Sequence, residues 1–244
     1  LIYIIYIKYV CFLMNISGKN PELLKVTAVL FMVIDHVGAL LNDNIFMRGL
    51  GRFALPLFIF QLVYGFTVSN NKNRNFKLLL IFSIISYFPY NIFIYGDYIN
   101  NLVNDFEIKG SWNVFLPLTI SYYCLILLKD NNKPALILML LISMFIDMDY
   151  DWFIPVMSVV AYQIFSSEQS DSTKFLSLFL SYFAFNLIYS IQINAIWIQL
   201  LAPLGIPLAW CLMNVNINIR LPKMFYYWFY PIHLLILSFC KALV

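Results

Sequence analysis

Apolar runs separated by short polar breaks recur along this chain from residue 23 almost to its end. A helix needs about 20 consecutive apolar residues to cross the hydrocarbon core of a bilayer. The clearest runs are 23–42, 50–69 and 76–96, followed after a polar loop at 97–111 by 112–128, 134–147, 152–166, 174–193, 195–213 and 224–243. The pair 134–147 and 152–166 is short and calls for little tilt or a thinned bilayer. Charged residues make up 11% of the chain and hydrophobic ones 62%. A soluble domain carries about 25% charged residues, so this chain could bury a core but could not cover it with polar surface. Lipid is the solvent that removes the difficulty. The expected fold is an all-α, polytopic integral membrane bundle of about nine transmembrane helices.

The placement of basic residues gives that bundle a direction, because cytoplasmic loops are rich in Lys and Arg. With Lys19 and Lys25 inside, alternation puts Lys72, Arg74, Lys77, Lys129, Lys133, Lys174, Arg220 and Lys223 inside as well. The opposite loops hold Arg48, Arg52 and Lys109, Lys241 lies at the far end, and Lys8 is left out of the count. They also hold Asp43, Asp97, Asp105, Glu107, Asp147, Asp149 and Asp151. Merging 134–166 into one span would bury three aspartates in mid-membrane and invert every later loop. The expectation is therefore a cell-membrane protein with its N-terminus inside and its C-terminus outside.

The first span opens with Asn20 as a possible cap, Pro21 at the first helical position and Glu22 in the first turn. Residues 1–22 read as an extension, untranslated or interfacial in part, with Met14 the suspected start, and 23–244 as one multi-span domain. Net charge is only +3, with the cations in short loops rather than along one face, which argues against nucleic acid as a partner. Cys11, Cys124, Cys211 and Cys240 are scattered through apolar stretches without CxxC spacing and read as small apolar fillers. They support neither a disulfide framework nor a metal site. Pro56, Pro89, Pro117, Pro155, Pro203, Pro207 and Pro231 fall within spans. Each removes a helix hydrogen bond and is expected to kink its helix. Such a bundle suits a polar interior cavity.

Ionisable groups inside spans usually face the bundle interior and mark function. Both histidines of the chain lie in spans: His36 after Asp35 in VIDHVGAL, and His233 in FYPIHLLIL. Each is either a hydrogen-bonded packing element or a general base, since neutral imidazole takes a proton near pH 7. It is also able to carry an acyl group. Adjacent helix positions point about 100° apart, so Asp35 need not bond His36. Its natural partner is Arg52, with Arg48 one turn earlier able to share the role. That pair is open to a structural and to a catalytic reading. The aromatic run 225–230 reads as an interfacial belt or as the lining of an acyl path. No ligand motif for a metal is present.

The segments LLKVTAVLFMVIDHVGALL, RGLGRFALPLFIFQLVYGF, ISYFPYNIF, WNVFLPLTI and FYYWFYPIHLLIL together resemble, in order over residues 23–240, the TraX family of membrane proteins named for pilin N-acetylation. The first resembles the family's opening helix with its Ile-Asp-His-Ile/Val-Gly core, and the last its closing Phe-Tyr-Pro-x-His-Leu helix. A wider likeness extends to other membrane acyltransferases with an intramembrane histidine. The chain departs from the family where a glutamate often precedes the Gly-Phe closing the second helix; here that position is Tyr64.

The resemblance implies acetyl transfer from acetyl-CoA to an amine or hydroxyl of an exported, pilin-like peptide or a cell-surface glycan. It gives His36 the part of general base or acyl carrier and Asp35 that of orienting the site. Arg52, with Arg48, would stabilise charge, and His233 would face His36 as a second proton-transfer group. Asn91 and Asn113 would bond the acyl or pantetheine amides. No glycine-rich phosphate loop is present. The phosphates would meet Lys72, Arg74 and Lys77, or Arg220 and Lys223, where plain topology signals are the alternative. Two rivals remain: a non-catalytic assembly or immunity protein that keeps the fold, favoured by Tyr64, and a small proton-coupled transporter. The lack of an internal repeat disfavours the transporter.

Overall fold

A computed structural model describes residues 21–96, 110–215 and 221–243. The suspected start at Met14, the cap at Asn20, and Asp97, Asp105, Glu107, Lys109 and Arg220 lie outside the described residues. Among those described, the chain forms twelve α-helices and one short 3-10 helix. They are α1 (Glu22–Leu40), α2 (Ile45–Gly51), α3 (Ala54–Val68), α4 (Lys72–Ile85), α5 (Tyr87–Tyr95) and α6 (Phe115–Lys129). After these come α7 (Lys133–Ser143), α8 (Phe153–Ser166), α9 (Asp171–Gln192), α10 (Ile196–Gln199), the 3-10 helix Ala202–Leu204, α11 (Gly205–Asn214) and α12 (Lys223–Leu243).

Every predicted apolar stretch is helical, but several are in pieces. The second comprises α2 and α3 with a break at Arg52–Phe53. The third is α4 and α5, bent by 41°. The stretch 195–213 is split among α10, the 3-10 helix and α11. Three helical segments are long and apolar enough to cross a membrane, Glu22–Leu40, Ile45–Val68 and Asp171–Gln192, and the bent pair α4–α5 makes a fourth if taken as one span. At 11 residues, α7 rises about 16 Å, roughly half the hydrocarbon thickness. Helix α12 has 21 residues, but its tyrosines, Pro231 and His233 keep it out of the most apolar set.

The prolines explain the breaks and correct the expected kinks. Pro56, Pro89, Pro117, Pro155 and Pro207 each occupy the third position of a helix. The first-turn N–H groups have no intrahelical partner, so a proline there costs no hydrogen bond. These prolines therefore start helices. Only Pro231 lies inside one. Pro21 sits at the cap position of α1, one residue before its expected place. Asparagines cap three other helices: the Oδ1 atoms of Asn44, Asn71 and Asn132 accept from Met47, Arg74 and Ala135 N–H at 3.1, 2.9 and 3.3 Å.

Several polar side chains are interior, while many apolar ones face outward. Asn91, Asn113, Asn186, Ser83 and Ser190 are fully buried, whereas Leu30, Ile137, Leu180, Ile188 and Ile236 are more than half exposed. That distribution would be unstable in water and is the stable one in lipid. Together with the apolar helices it makes the chain a membrane protein. Cys124 is buried as expected of an apolar filler, while Cys211 and Cys240 are exposed.

The helices group into two compact units, and the chain passes between them at Tyr64–Gly65, Val159–Val160 and Leu221–Pro222. The first unit holds α1, α2, most of α3, the end of α8, and α9–α11. It packs Phe60, Phe165 and Phe175 around the buried indole of Trp210, with ring centroids 5.9, 6.1 and 5.5 Å away. The second holds α4–α7 and α12. There Phe82 and Phe115 pack with Tyr227, and Tyr230 stands edge-on to Phe115. The aromatic run is thus divided: Tyr230 is core, while Phe225 and Trp228 are exposed in the manner of a belt. In this second unit Trp112 bridges to the Asp147–Asp151 turn, accepting from Asp149 N–H at 2.8 Å and donating to Asp147 O at 3.0 Å.

Candidate functional site

In the first unit, glycines bring α1 and α2 together. A Cβ added at Gly51 would lie 2.2 Å from the Cβ of Asp35, and one at Gly38 would lie 2.8 Å from the Cβ of Met47. Such separations are impossible for any larger residue, so the two backbones approach as small-residue helix pairs do in membranes. The turn between them uses Asn42 and Asp43 in the left-handed region, at φ 53° and 55°, which these two side chains tolerate.

This approach delivers Asp35 between two guanidinium groups. Arg48 Nη1 donates to Oδ2 at 2.6 Å, and Arg52 Nη2 donates to Oδ1 at 3.1 Å. Arg48 and Arg52 sit four residues apart at the C-terminal end of α2, where cations are favoured by the helix dipole. The side chains of Asp35 and Arg52 are 14% and 12% exposed. Buried to this degree, charge-assisted bonds hold geometry well. One carboxylate faces two cations. Among the described residues Asp43, 82% exposed, also lies 3.7 Å from Arg48 Nε, and adds little. His36 is the next residue on α1 and is half-buried.

His233 belongs to the second unit and is buried in α12. Its Nδ1 lies 2.9 Å from the carbonyl oxygen of Phe229, and its ring stacks on that residue's ring at 5.1 Å. A carbonyl only accepts, so Nδ1 is the donor in this contact.

The remaining predicted residues of this unit are placed as follows. Asn91 Nδ2 donates to Tyr87 O and Ser111 O at 2.8 and 3.1 Å, and its Oδ1 accepts from Ser111 N–H at 3.1 Å. Asn113 Nδ2 donates to Ser83 O at 2.8 Å while its Oδ1 accepts from Phe115 N–H at 3.0 Å, opening α6. Both amides are engaged by the backbone and hold the segment leading into α6. Lys72 and Arg74 stand on the first turn of α4. Lys72 Nζ donates to Ser69 O at 3.0 Å and lies 4.9 Å from the ring centre of Phe66. Arg74 and Lys77 are exposed.

The structure thus joins Asp35, Arg48 and Arg52, with His36 adjacent in sequence, and joins Lys72 and Arg74 on one turn. Sequence reasoning missed Gly38 and Gly51, whose signal was small residues flanking charged ones on consecutive apolar helices. It also missed Asn186, fully buried on α9, whose amide donates to Gln199 O at 2.7 Å and ties down the broken segment after α9. No periodicity signals that pair.

A probable fimbrial assembly protein from Dichelobacter nodosus, FimC of serogroup H1, is 28% identical to this chain over 232 residues, covering 89% of this chain and 94% of that protein. No solved structure matches. The family model described as TraX protein matches residues 20–241, a span that takes in Asp35, His36, Arg48, Arg52 and His233. The chain belongs to the TraX protein family.

Proposed function

We propose that this protein is a membrane-embedded acetyltransferase that moves an acetyl group from acetyl-CoA to an amine or hydroxyl of an exported, pilin-like peptide or a cell-surface glycan. The observation that carries the proposal is the largely buried Asp35 held between Arg48 and Arg52, with His36 beside it in sequence, within a family linked to pilin acetylation. In the direct route His36 takes the proton of the acceptor as its nitrogen or oxygen attacks the thioester carbonyl. The C–S bond breaks, the electron pair leaves on the CoA sulfur, and the proton ends there. In the covalent route the imidazole attacks first, releases the thiol and passes the acetyl group on. Arg52 and Arg48 stabilise the oxyanion of either tetrahedral state, and Asp35 fixes their position. His233 serves as a second proton-transfer group through Nε2. The donor's phosphates are assigned to Lys72 and Arg74, with Lys77 alongside. Asn91 and Asn113 support the fold around α6.

The proposal places the protein in the cell membrane with nine crossings, its N-terminus inside and its C-terminus outside. The supports are the nine helical stretches and the bias of basic residues toward one set of loops. A second reading, a non-catalytic assembly protein, is favoured by Tyr64 in place of a glutamate and by the name of the Dichelobacter relative. Purified full-length protein incubated with radiolabelled acetyl-CoA separates the two. Transfer to an acceptor, or to the chain itself, by wild type and its loss in His36→Ala and His233→Ala supports the enzyme. Absence of acetyl-CoA binding and of labelling in every form sinks it.

A further inference from the structure

The basic end of α4 is more than a row of topology signals. Asn71 caps the helix and fixes the turn that follows α3. Within that turn Ser69 and Asn75 form a polar scaffold: Asn75 Nδ2 donates to Ser69 Oγ at 2.8 Å and reaches the hydroxyl of Tyr122 at 3.3 Å. Two lysines from different helices bond to this scaffold. Lys72 Nζ holds Ser69 O, and Lys223 Nζ, from the first residue of α12, donates to Asn75 Oδ1 at 2.9 Å. A third, Lys129 from the end of α6, brings its ammonium group beside that of Lys72.

An excess of cations on cytoplasmic loops explains how many lysines occur there. It does not explain why Lys72 and Lys223 both bond one polar scaffold, or why Lys129 stands beside Lys72. Like charges side by side repel, and two of the three stand at helix N-termini, where a cation opposes the dipole. Neither α4 nor α12 carries an acid in its first turn. Among the described residues no carboxylate pairs with Lys72 or Lys129. A tetrahedral dianion at Lys72 and Lys129 would neutralise their repulsion, and the Ser69 and Tyr122 hydroxyls with Lys223 on the same scaffold supply further donors.

We propose that Lys72 and Lys223, held on the Ser69–Asn75–Tyr122 scaffold, form with Lys129 beside Lys72 a binding site for a phosphate group. The site deepens the donor reading given above, on which it rests only for the identity of the ligand. A soluble phosphate such as that of coenzyme A and the headgroup of an anionic lipid share the required chemistry.

The test uses the full chain in nanodiscs at low salt, with coenzyme A and inorganic pyrophosphate as soluble probes in phosphatidylcholine alone. Nanodiscs with about one part in five phosphatidylglycerol form the lipid arm. Lys72→Gln and Lys129→Gln are each expected to weaken coenzyme A binding by about tenfold, the loss of one charge-assisted bond. Lys241→Gln, remote on α12, leaves it unchanged. In discs free of phosphate probes and anionic lipid, Lys72→Gln is expected to raise Tm, because it removes a repulsion. Stabilisation by phosphatidylglycerol that the lysine variants abolish, without coenzyme A or pyrophosphate binding, also supports the site and identifies a lipid. The proposal is overturned if neither the soluble probes nor the anionic lipid responds to either lysine variant. Failure of acetyl labelling with lysine-dependent phosphate binding intact overturns the enzyme reading and leaves this one standing.

Discussion

Gly51→Ala tests the geometry on which the candidate site depends. Its Cβ would sit 2.2 Å from the Cβ of Asp35, where ordinary contact begins at 3.4 Å. Helix α2 must then retreat by roughly 1.2 Å to reach ordinary packing. If the guanidinium groups move with it, the contacts of 2.6 and 3.1 Å lengthen to about 3.8 and 4.3 Å, beyond hydrogen bonding. Overpacking costs about 1–3 kcal/mol, and uncoupling a partly buried ion pair adds a further amount toward the low end of about 3–5 kcal/mol. The control is Gly65→Ala on α3, whose new Cβ meets nothing within 4 Å and whose helix gains about 0.5–1 kcal/mol from the better propensity. SDS titration of both variants in parallel should show Gly51→Ala markedly less stable and Gly65→Ala equal to or above wild type. Acetyl labelling should fall about a hundredfold in Gly51→Ala, as an ångström of misplacement does at reacting centres. Equal unfolding and equal labelling of the two variants would refute the close-approach account of the Asp35–Arg48–Arg52 cluster.

Three further outcomes are expected. Asn113→Ala leaves the buried Ser83 carbonyl without its donor and should cost about 1–3 kcal/mol, with coenzyme A affinity unchanged in the fraction that folds; a changed affinity at unchanged stability would instead make Asn113 a ligand contact. Trp210→Ala, emptying a site ringed by three phenylalanines, should cost about 3–5 kcal/mol, against a much smaller loss for Trp210→Phe, both read by SDS titration. Burial pushes the Asp151 carboxyl in the α7–α8 turn up from its ordinary value, and Asp147 acts in the same direction, while a backbone hydrogen bond at Met148 opposes them. A raised folded pKa means stability present when the group is protonated and lost as pH rises through that pKa. Asp151→Asn should therefore melt above wild type at neutral pH and converge with it below about pH 4; a gap independent of pH would contradict this.

Much of this protein was readable along the chain because lipid imposes a strong rule on composition. The apolar runs located every helical stretch, and the rarity of ionisable groups in them singled out Asp35, His36 and His233. Arg52 as the partner of Asp35, with Arg48 sharing, followed from the need to neutralise a carboxylate that lipid disfavours. The prolines were located but misjudged. Hydropathy is blind to whether a proline lies in the first turn of a helix or its interior, so five helix starts read as kinks, and of these the span holding Pro89 is in fact bent, by 41°. Asn91 and Asn113 were noticed as polar residues in apolar surroundings, but an amide looks the same in sequence whether it holds a backbone carbonyl or a ligand.

Local composition and period along the chain were enough to set the solvent, the helical character and the identities of the charges that break the apolar pattern. Tertiary structure decided the rest. The close approach of Gly51 to Asp35, the fork of Arg48 and Arg52 on Asp35, and the scaffold that Lys72 and Lys223 share join residues from different helices. Their distances depend on how closely backbones pack, and no one-dimensional pattern encodes that separation.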